Sequence, residues 1–353
     1  MSEEIAPIRI MIISDAWKPQ VNGVVRTYEY LHEELEKRGH TVKIIGPSDF
    51  PCTIPTPGYP EIKLAIMPYK HLTGIIEDFK PDRIHIATEG PLGWVARKYC
   101  RKHNRDFSTS FHTMFPEYVA KRVGKYLPFL YNATHHIAKS CVKRFHQKSI
   151  VMMIATQSLE DTLRIWGFTA PIFRLTRGVK NDIFKLGEKT KFQDFKHPVA
   201  LYVGRVAIEK NIDAFLDMQW NGEKVVIGDG PSLTELKEKY PDAHFLGKKS
   251  GEDLAAYYRS ADIFVFPSKT DTFGMVIIEA LACGLPVAAY NVMGPKDIIT
   301  EDYLGILDEN LSLAAQQALK KGTAEQRANH VLNNYTWQKA AEQFETALIS
   351  KVK

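Results

Sequence analysis

Short apolar runs recur along the chain, each closed by a polar or glycine-bearing turn and followed by a stretch whose apolar residues return at helical spacing. Residues 8–14, 41–45, 82–87, 106–111 and 150–155 read as buried strands. Residues 24–37, 92–103, 128–147 and 158–166 read as helices, the last of them capped. Val24, Tyr28, Leu31 and Leu35 set the period of the first helix, which stops at Arg38-Gly39. Residues 47–60 are rich in proline and read as a long loop, and the charged, non-periodic stretch from Arg177 to Pro198 reads as a linker. The pattern restarts at Val199, with short strands over 199–203, 224–227, 243–246, 263–266 and 287–289, each followed by a helix. Strands alternating with helices predict an α/β protein with two parallel sheets. The expected organisation is a domain over 1–176, a linker over 177–198, a second domain over 199–334, and a terminal helix over 335–353 packing back toward the first domain.

Composition narrows the class. A chain of 353 residues with 44% hydrophobic and 25% charged residues suits two globular domains. The first apolar run, Ile8 to Ile13, is too short for a signal peptide, and the longest apolar stretch, Met275 to Tyr290, is broken by Glu279, Gly284 and Pro286, so no transmembrane helix is expected. Cys52, Cys100, Cys141 and Cys283 show neither CxxC spacing nor a histidine at ligand spacing, which fits reduced thiols in a cytoplasm and no zinc site.

The net charge of +5 is unevenly spread, because between Arg97 and Lys148 twelve Lys and Arg face only Asp106 and Glu117. An anionic partner follows from that excess. Within 128–147, Phe129, Ala133, Ile137, Cys141 and Phe145 recur every four residues, with basic residues mostly elsewhere on the wheel. One reading is a helix packed on the core with a solvated basic face. The other is peripheral docking on anionic lipid through Lys121, Arg122, Lys125, Tyr126, Lys139, Lys143 and Arg144. No nucleic-acid motif accompanies the charge, so nucleic acid is not an expected partner.

Candidate chemistry sits in the loops that follow strands. In the first half, Asp15 to Val24 runs from a strand through a loop to a helix start, the layout of a phosphate or acceptor loop, with Asp15, Asn22, Gly23 and Val24 at its ends. It lacks GxGxxG, so dinucleotide binding is not indicated. His112 stands just past a strand end, where such sheets bind ligands, although a structural hydrogen-bonding role fits a lone histidine equally well. In the second half, Gly204-Arg205 to Lys210-Asn211 brings two cations to a strand end, where either can meet an anion. Gly228-Asp229-Gly230-Pro231 is a tight turn or a ligand contact. After Phe266-Pro267-Ser268 the chain reaches Asp271 and a helix start at Phe273-Gly274-Met275, whose unpaired amides suit a phosphate. Glu279 lies in an apolar helix, where a charge needs a partner.

Together these loops resemble the donor-binding signature of family 4 retaining glycosyltransferases, and Pro19 to Val24, His112-Thr113 and Arg177-Gly178-Val179 extend the likeness over nearly the whole chain. Within the family the chain is similar to the branch of sulfoquinovosyl- and glycosyl-diacylglycerol synthases and phosphatidylinositol-type mannosyltransferases. The resemblance implies a GT-B fold, two Rossmann-like domains with parallel sheets facing across a cleft. It also implies roles: Arg205, Lys210, His112 and Asp271 in catalysis; Gly23, Gly204, Gly228, Asp229, Gly230, Phe273, Gly274, Met275 and Glu279 around a sugar nucleotide, with Glu279 on the ribose and Arg205 and Lys210 on the diphosphate; Asp15, Asn22, Val24 and His112 on the acceptor side. The family usually carries Glu where this chain has Asp271, one methylene shorter. No Asp-x-Asp is present, so cations and helix amides are expected in place of a metal, and no cofactor is expected. The implied activity is retaining transfer of a hexose or hexuronic acid from a UDP-sugar to a lipid, foremost diacylglycerol, by a cytoplasmic enzyme held peripherally at the inner face of the cell membrane. The alternative is a GDP-mannose-dependent α-mannosyltransferase acting on a phosphoinositide or polar glycan.

Overall fold

The computed structural model describes residues 6–20, 22–56 and 59–349. The chain divides into two compact units, residues 1–176 with 340–353, and residues 177–339. The first unit runs β1 (Arg9–Ile13), α1 (Gly23–Lys37), β2 (Thr41–Ile45), β3 (Thr53–Thr56), β4 (Tyr59–Ala65), α2 (Tyr69–Phe79), β5 (Arg83–Ile86), α3 (Pro91–Lys102), β6 (Ser108–Ser110), α4 (Phe115–Tyr126), α5 (Tyr131–His146), β7 (Met152–Ile154), α6 (Gln157–Ile165) and β8 (Ile172–Arg174). Six strands form a parallel sheet in the order β2-β1-β5-β6-β7-β8. Helices on both faces explain why Ile10 to Ile13 are all buried rather than alternating in and out. The order reverses between β1 and β5, which is the switch point of this sheet.

The second unit repeats the plan with β9 (Ala200–Val203), α7 (Ile212–Leu216), β10 (Lys224–Ile227), α8 (Leu233–Lys239), β11 (His244–Phe245), α9 (Gly251–Ser260), β12 (Ile263–Phe266), α10 (Met275–Ala282), β13 (Val287–Ala289), α11 (Pro295–Ile298), β14 (Gly305–Leu307), α12 (Leu311–Ala318) and α13 (Ala324–Asn334). Its sheet is parallel in the order β11-β10-β9-β12-β13-β14, and its switch point lies between β9 and β12. Residues 177–198 belong to this unit, where Val179 bridges Thr336. The last helix, α14 (Trp337–Ile349), carries the chain back into the first unit from Ala340 onward. There the buried Glu345 accepts from Arg38 at 2.6 Å and from Nε2 of His40 at 2.8 Å. Nδ1 of His40 accepts the amide of Ile8, so Nε2 carries the proton of this contact.

Several expectations need correction. The proline-rich stretch 47–60 is not a plain loop: it holds a short 3-10 turn at Pro47–Asp49 and the antiparallel β3-β4 hairpin. Residues 115–126, where no helix was predicted, form α4, with Pro116 in its first turn where no amide is required. The helix expected over 128–147 begins as a 3-10 turn and becomes α5 only at Tyr131, and it buries a different face from the one its four-residue spacing suggested. Ala138, Val142, Phe145 and His146 are buried, whereas Phe129, Ala133, Ile137 and Cys141 are exposed. A strict spacing of four drifts around a helix of 3.6 residues per turn, so that stripe cannot stay on the core. Helix α6 is capped by Thr156, whose hydroxyl accepts from the Leu159 amide, rather than starting at Ser158. The edge strands β8 and β14 were not among the predicted strands.

Candidate active site

In the second unit the two loops at the switch point are tied to one another. Lys210 closes the loop after β9, and its Nζ donates to Oδ1 of Asp271 in the loop after β12 at 2.6 Å. Asn211 sits in the left-handed region with φ 54°, which turns its side chain to donate to the carbonyl of Pro267 at 3.0 Å. Among the described residues Oδ2 of Asp271 is buried without a hydrogen-bond partner, as is the hydroxyl of Ser268 in the same loop. Buried polar atoms are nearly always paired, so these two orphans beside a cation set this loop apart. Helix α10 starts beside them. Gly274 holds φ +110°, a conformation that favours glycine, and of the first-turn amides that of Ile277 donates to the Gly274 carbonyl at 2.9 Å, while a helix start leaves the preceding ones without an intrahelical acceptor.

The loop after β10 supports this assembly. A Cβ at Gly228 would lie 1.8 Å from the carbonyl oxygen of Gly204, and one at Gly230 would lie 2.2 Å from that of Val206. Both glycines are therefore demanded by close packing of one loop on the other. Asp229 is exposed, its carboxylate accepting from the Gly230 amide at 2.7 Å. The buried Tyr202 donates to the carbonyl of Arg205 at 2.9 Å and holds Gly204-Arg205 in place, while the Arg205 side chain is exposed. Glu279 is buried in α10 and accepts from the hydroxyl of Tyr258 at 3.2 Å. Tyr335 packs on Phe273 with ring centroids 6.0 Å apart, so the Arg177-Gly178-Val179 segment, bonded to Tyr335 through Val179, buttresses the same loop.

In the first unit the residues read from the loops have less freedom than expected. Asp15 is buried, and its carboxylate accepts from the amides of Leu92 and Gly93 and from the Thr88 hydroxyl, which caps α3. Burial nevertheless pushes its pKa up from 3.8 to about 6 against these hydrogen bonds. Asn22 caps α1, accepting from the amides of Val24 and Val25 at 3.0 Å. Gly23 differs from Gly228 and Gly230, for a Cβ there would meet nothing within 4 Å among the described residues. His112 is half-buried with Nε2 at 2.8 Å from the Tyr28 hydroxyl, a partner that no motif in the sequence announces.

The basic segment is divided by the fold. Arg97 turns inward and donates to the carbonyls of Phe145 and Arg144 at the end of α5, so it caps a helix rather than charging the surface. Lys121, Arg122 and Arg144 are exposed, and Lys139 and Lys143 are half-buried, Lys139 lying 5.8 Å from the Trp166 ring. The side chains of Lys125 and Tyr126 lie outside the described residues. Among the described residues no helix is long and apolar enough to cross a membrane.

Comparison with solved structures agrees on the class. Sucrose-phosphate synthase from Thermosynechococcus elongatus matches with a TM-score of 0.78 at 21% identity, covering 96% of this chain and 98% of that one. Two Rossmann-like units with this strand order make the architecture that of the GT-B glycosyltransferases. Residues 21–182 match the family model described as Glycosyltransferase Family 4, and residues 188–337 the one described as Glycosyl transferases group 1. A GDP-mannose-dependent alpha-mannosyltransferase of Corynebacterium glutamicum is 30% identical over 334 residues, 86% of this chain and 78% of that protein. An alpha-monoglucosyldiacylglycerol synthase of Streptococcus pneumoniae is 26% identical over 376 residues, 96% of this chain and 83% of that protein. The chain belongs to glycosyltransferase family 4, in a group related to glycolipid synthases and GDP-mannose mannosyltransferases.

Proposed function

We propose that the chain is a retaining glycosyltransferase that moves a hexose or hexuronic acid from a UDP-sugar to a lipid acceptor, foremost diacylglycerol, at an anionic membrane surface. The observation that carries the donor half is the buried, unpartnered Oδ2 of Asp271 beside Lys210 at the start of α10. A sugar hydroxyl satisfies that oxygen, while Lys210, Arg205 and the first-turn amides of α10 take the negative charge that gathers on the leaving diphosphate. These groups supply positive charge without a metal. Transfer then proceeds on one face of an oxocarbenium-like sugar, the leaving phosphate accepting the proton of the acceptor hydroxyl. No side chain is assigned as nucleophile. His112 contacts the sugar and Glu279 holds the ribose.

The lipid half is supported by the exposed apolar stripe of α5 and the turn before it, where Phe129 is 77% and Ile137 68% exposed among basic residues. The glycolipid synthase among the relatives agrees with it. A second reading, transfer from GDP-mannose to a phosphoinositide or polar glycan, is favoured by the mannosyltransferase at 30% identity.

A transfer assay separates the two. UDP-glucose, UDP-glucuronic acid and GDP-mannose are each supplied with diacylglycerol in anionic vesicles, with phosphoinositide vesicles, or with soluble glycans, and the product anomer is read by NMR. An α-linked glycosyl-diacylglycerol formed from a UDP-sugar, at a rate unchanged by EDTA, supports the first reading. Product from GDP-mannose alone replaces it with the second, and an inverted anomer overturns the retaining mechanism in both.

A further inference from the structure

Behind His112 lies a chain of polar groups in an otherwise apolar core. The Tyr28 hydroxyl, fully buried on α1, is 2.8 Å from Nε2 of His112 and 2.9 Å from Nε2 of His85 on β5. His85 in turn lies 3.0 Å from the Ser110 hydroxyl through Nε2 and 2.8 Å from the Ser108 hydroxyl through Nδ1, both serines being buried on β6. Phe344 covers the His85 ring edge-on at 4.9 Å. A histidine, two serines and a tyrosine hydroxyl joined in this way are costly to bury unless each is satisfied, and they are.

The protons in this chain are interdependent. Desolvation first, and the neighbouring His146 second, push His85 down to about 3, so its ring is neutral and carries one N–H. Tyr28 has one proton to donate and lies between two imidazole Nε2 atoms, so it donates to one ring and accepts from the other. If it donates to His85, it accepts an N–H from His112. If His85 Nε2 donates to it, it donates to His112. His85, whose Nε2 Tyr28 shares with Ser110, therefore biases which nitrogen of a neutral His112 ring bears hydrogen, and the hydrogen bond from Tyr28 restrains the rotation of that ring.

We infer that Tyr28 and His85 are positioning residues that hold the His112 ring in one orientation and one tautomer for the sugar contact. This rests on the role proposed above for His112, and its test is chosen to fail separately from that role. Nitrogen-15 NMR of the full chain labelled at histidine, with no substrate present, reports the His112 tautomer directly. A single neutral tautomer is expected in the unsubstituted chain and a mixture of both in Tyr28→Phe, which keeps the ring in the core and removes only the hydroxyl. With whichever of UDP-glucose and GDP-mannose is turned over, Tyr28→Phe is expected to lower kcat by about tenfold to a hundredfold while KM for the donor changes by less than about threefold. His85→Gln, which keeps a hydrogen-bonding side chain of similar reach, is expected to move the tautomer signal in the same direction. An unchanged His112 tautomer in Tyr28→Phe overturns the inference, even if the midpoint of unfolding falls, because loss of a purely structural hydrogen bond would produce that fall alone. A shifted tautomer with unchanged kcat in both Tyr28→Phe and His112→Ala keeps the positioning pair and overturns the role proposed for His112.

Discussion

Lys210→Ala tests the donor site most directly, because the same side chain serves the fold and the reaction. The ion pair to Asp271 is 2.6 Å long and both side chains are about a fifth exposed, 22% and 21%. Coulomb attraction at that distance amounts to about 6 kcal/mol at an effective dielectric of 20 and about 1.6 kcal/mol in bulk water. Desolvation offsets most of it, so truncation is expected to cost about 1–3 kcal/mol of stability, chiefly by leaving the Asp271 carboxylate without its cation. The catalytic loss is larger. Removing one donor to a developing anion costs about 2.7–4 kcal/mol, a hundredfold to thousandfold in kcat. Urea unfolding and turnover of the sugar nucleotide measure the two effects separately. The double variant Lys210→Ala/Asp271→Asn removes the stranded charge, and it is expected to recover part of the stability and none of the rate. Turnover within about threefold of the parent in Lys210→Ala would refute the assignment of Lys210 to the leaving group.

Other outcomes follow from the same geometry. Glu279→Gln keeps an acceptor for Tyr258 but loses the charge, and calorimetric titration is expected to show sugar-nucleotide binding weakened by about tenfold to a hundredfold with little change in unfolding midpoint. Phe129→Ser with Ile137→Ser changes only exposed positions, so folding should be unaffected while cosedimentation with phosphatidylglycerol vesicles falls about tenfold or more; equal binding by parent and variant would remove α5 from the docking surface. Asp15 has a folded pKa near 6 against 3.8 unfolded, so its neutral form is favoured by the fold. Its contribution is fully present below about pH 4 and lost as pH rises through 6, about 3 kcal/mol in all. Asp15→Asn should therefore gain stability relative to the parent as pH rises from 4 to 6. His85 acts with the opposite sign, losing stability as pH falls below 6.5, so the difference between variant and parent is the quantity to measure.

Some of this site was legible before any coordinates. Gly274 and the glycines of the β10 loop stand out because turn geometry and helix termini depend on residues adjacent in sequence, and Glu279 because it interrupts an apolar helix. Other residues were visible as chemistry without the hydrogen bonds that engage them. Asp15 and Asn22 look like ligand groups from their loop, and both are engaged in capping helices within the unit. Tyr28 and His85 were missed altogether. Each sits in a regular element with the expected period, and nothing in a strand such as Arg83-Ile84-His85-Ile86 says that its histidine meets two serines from the next strand and a tyrosine 57 residues away.

By itself, then, the sequence determined the alternation of strands and helices, the two parallel sheets and the loops that carry glycine and charge, since all of these follow from patterns over a few neighbouring residues. Only the tertiary structure decided which of those loops meet. Strand order places β9 beside β12, and that adjacency alone brings Lys210 within 2.6 Å of Asp271 across 61 residues of chain. It likewise decided that Arg97 would cap α5 rather than join the basic surface, and that Ile137 would face outward while Ala138 faced in, because a helix offers several plausible faces and the neighbours it packs against select one.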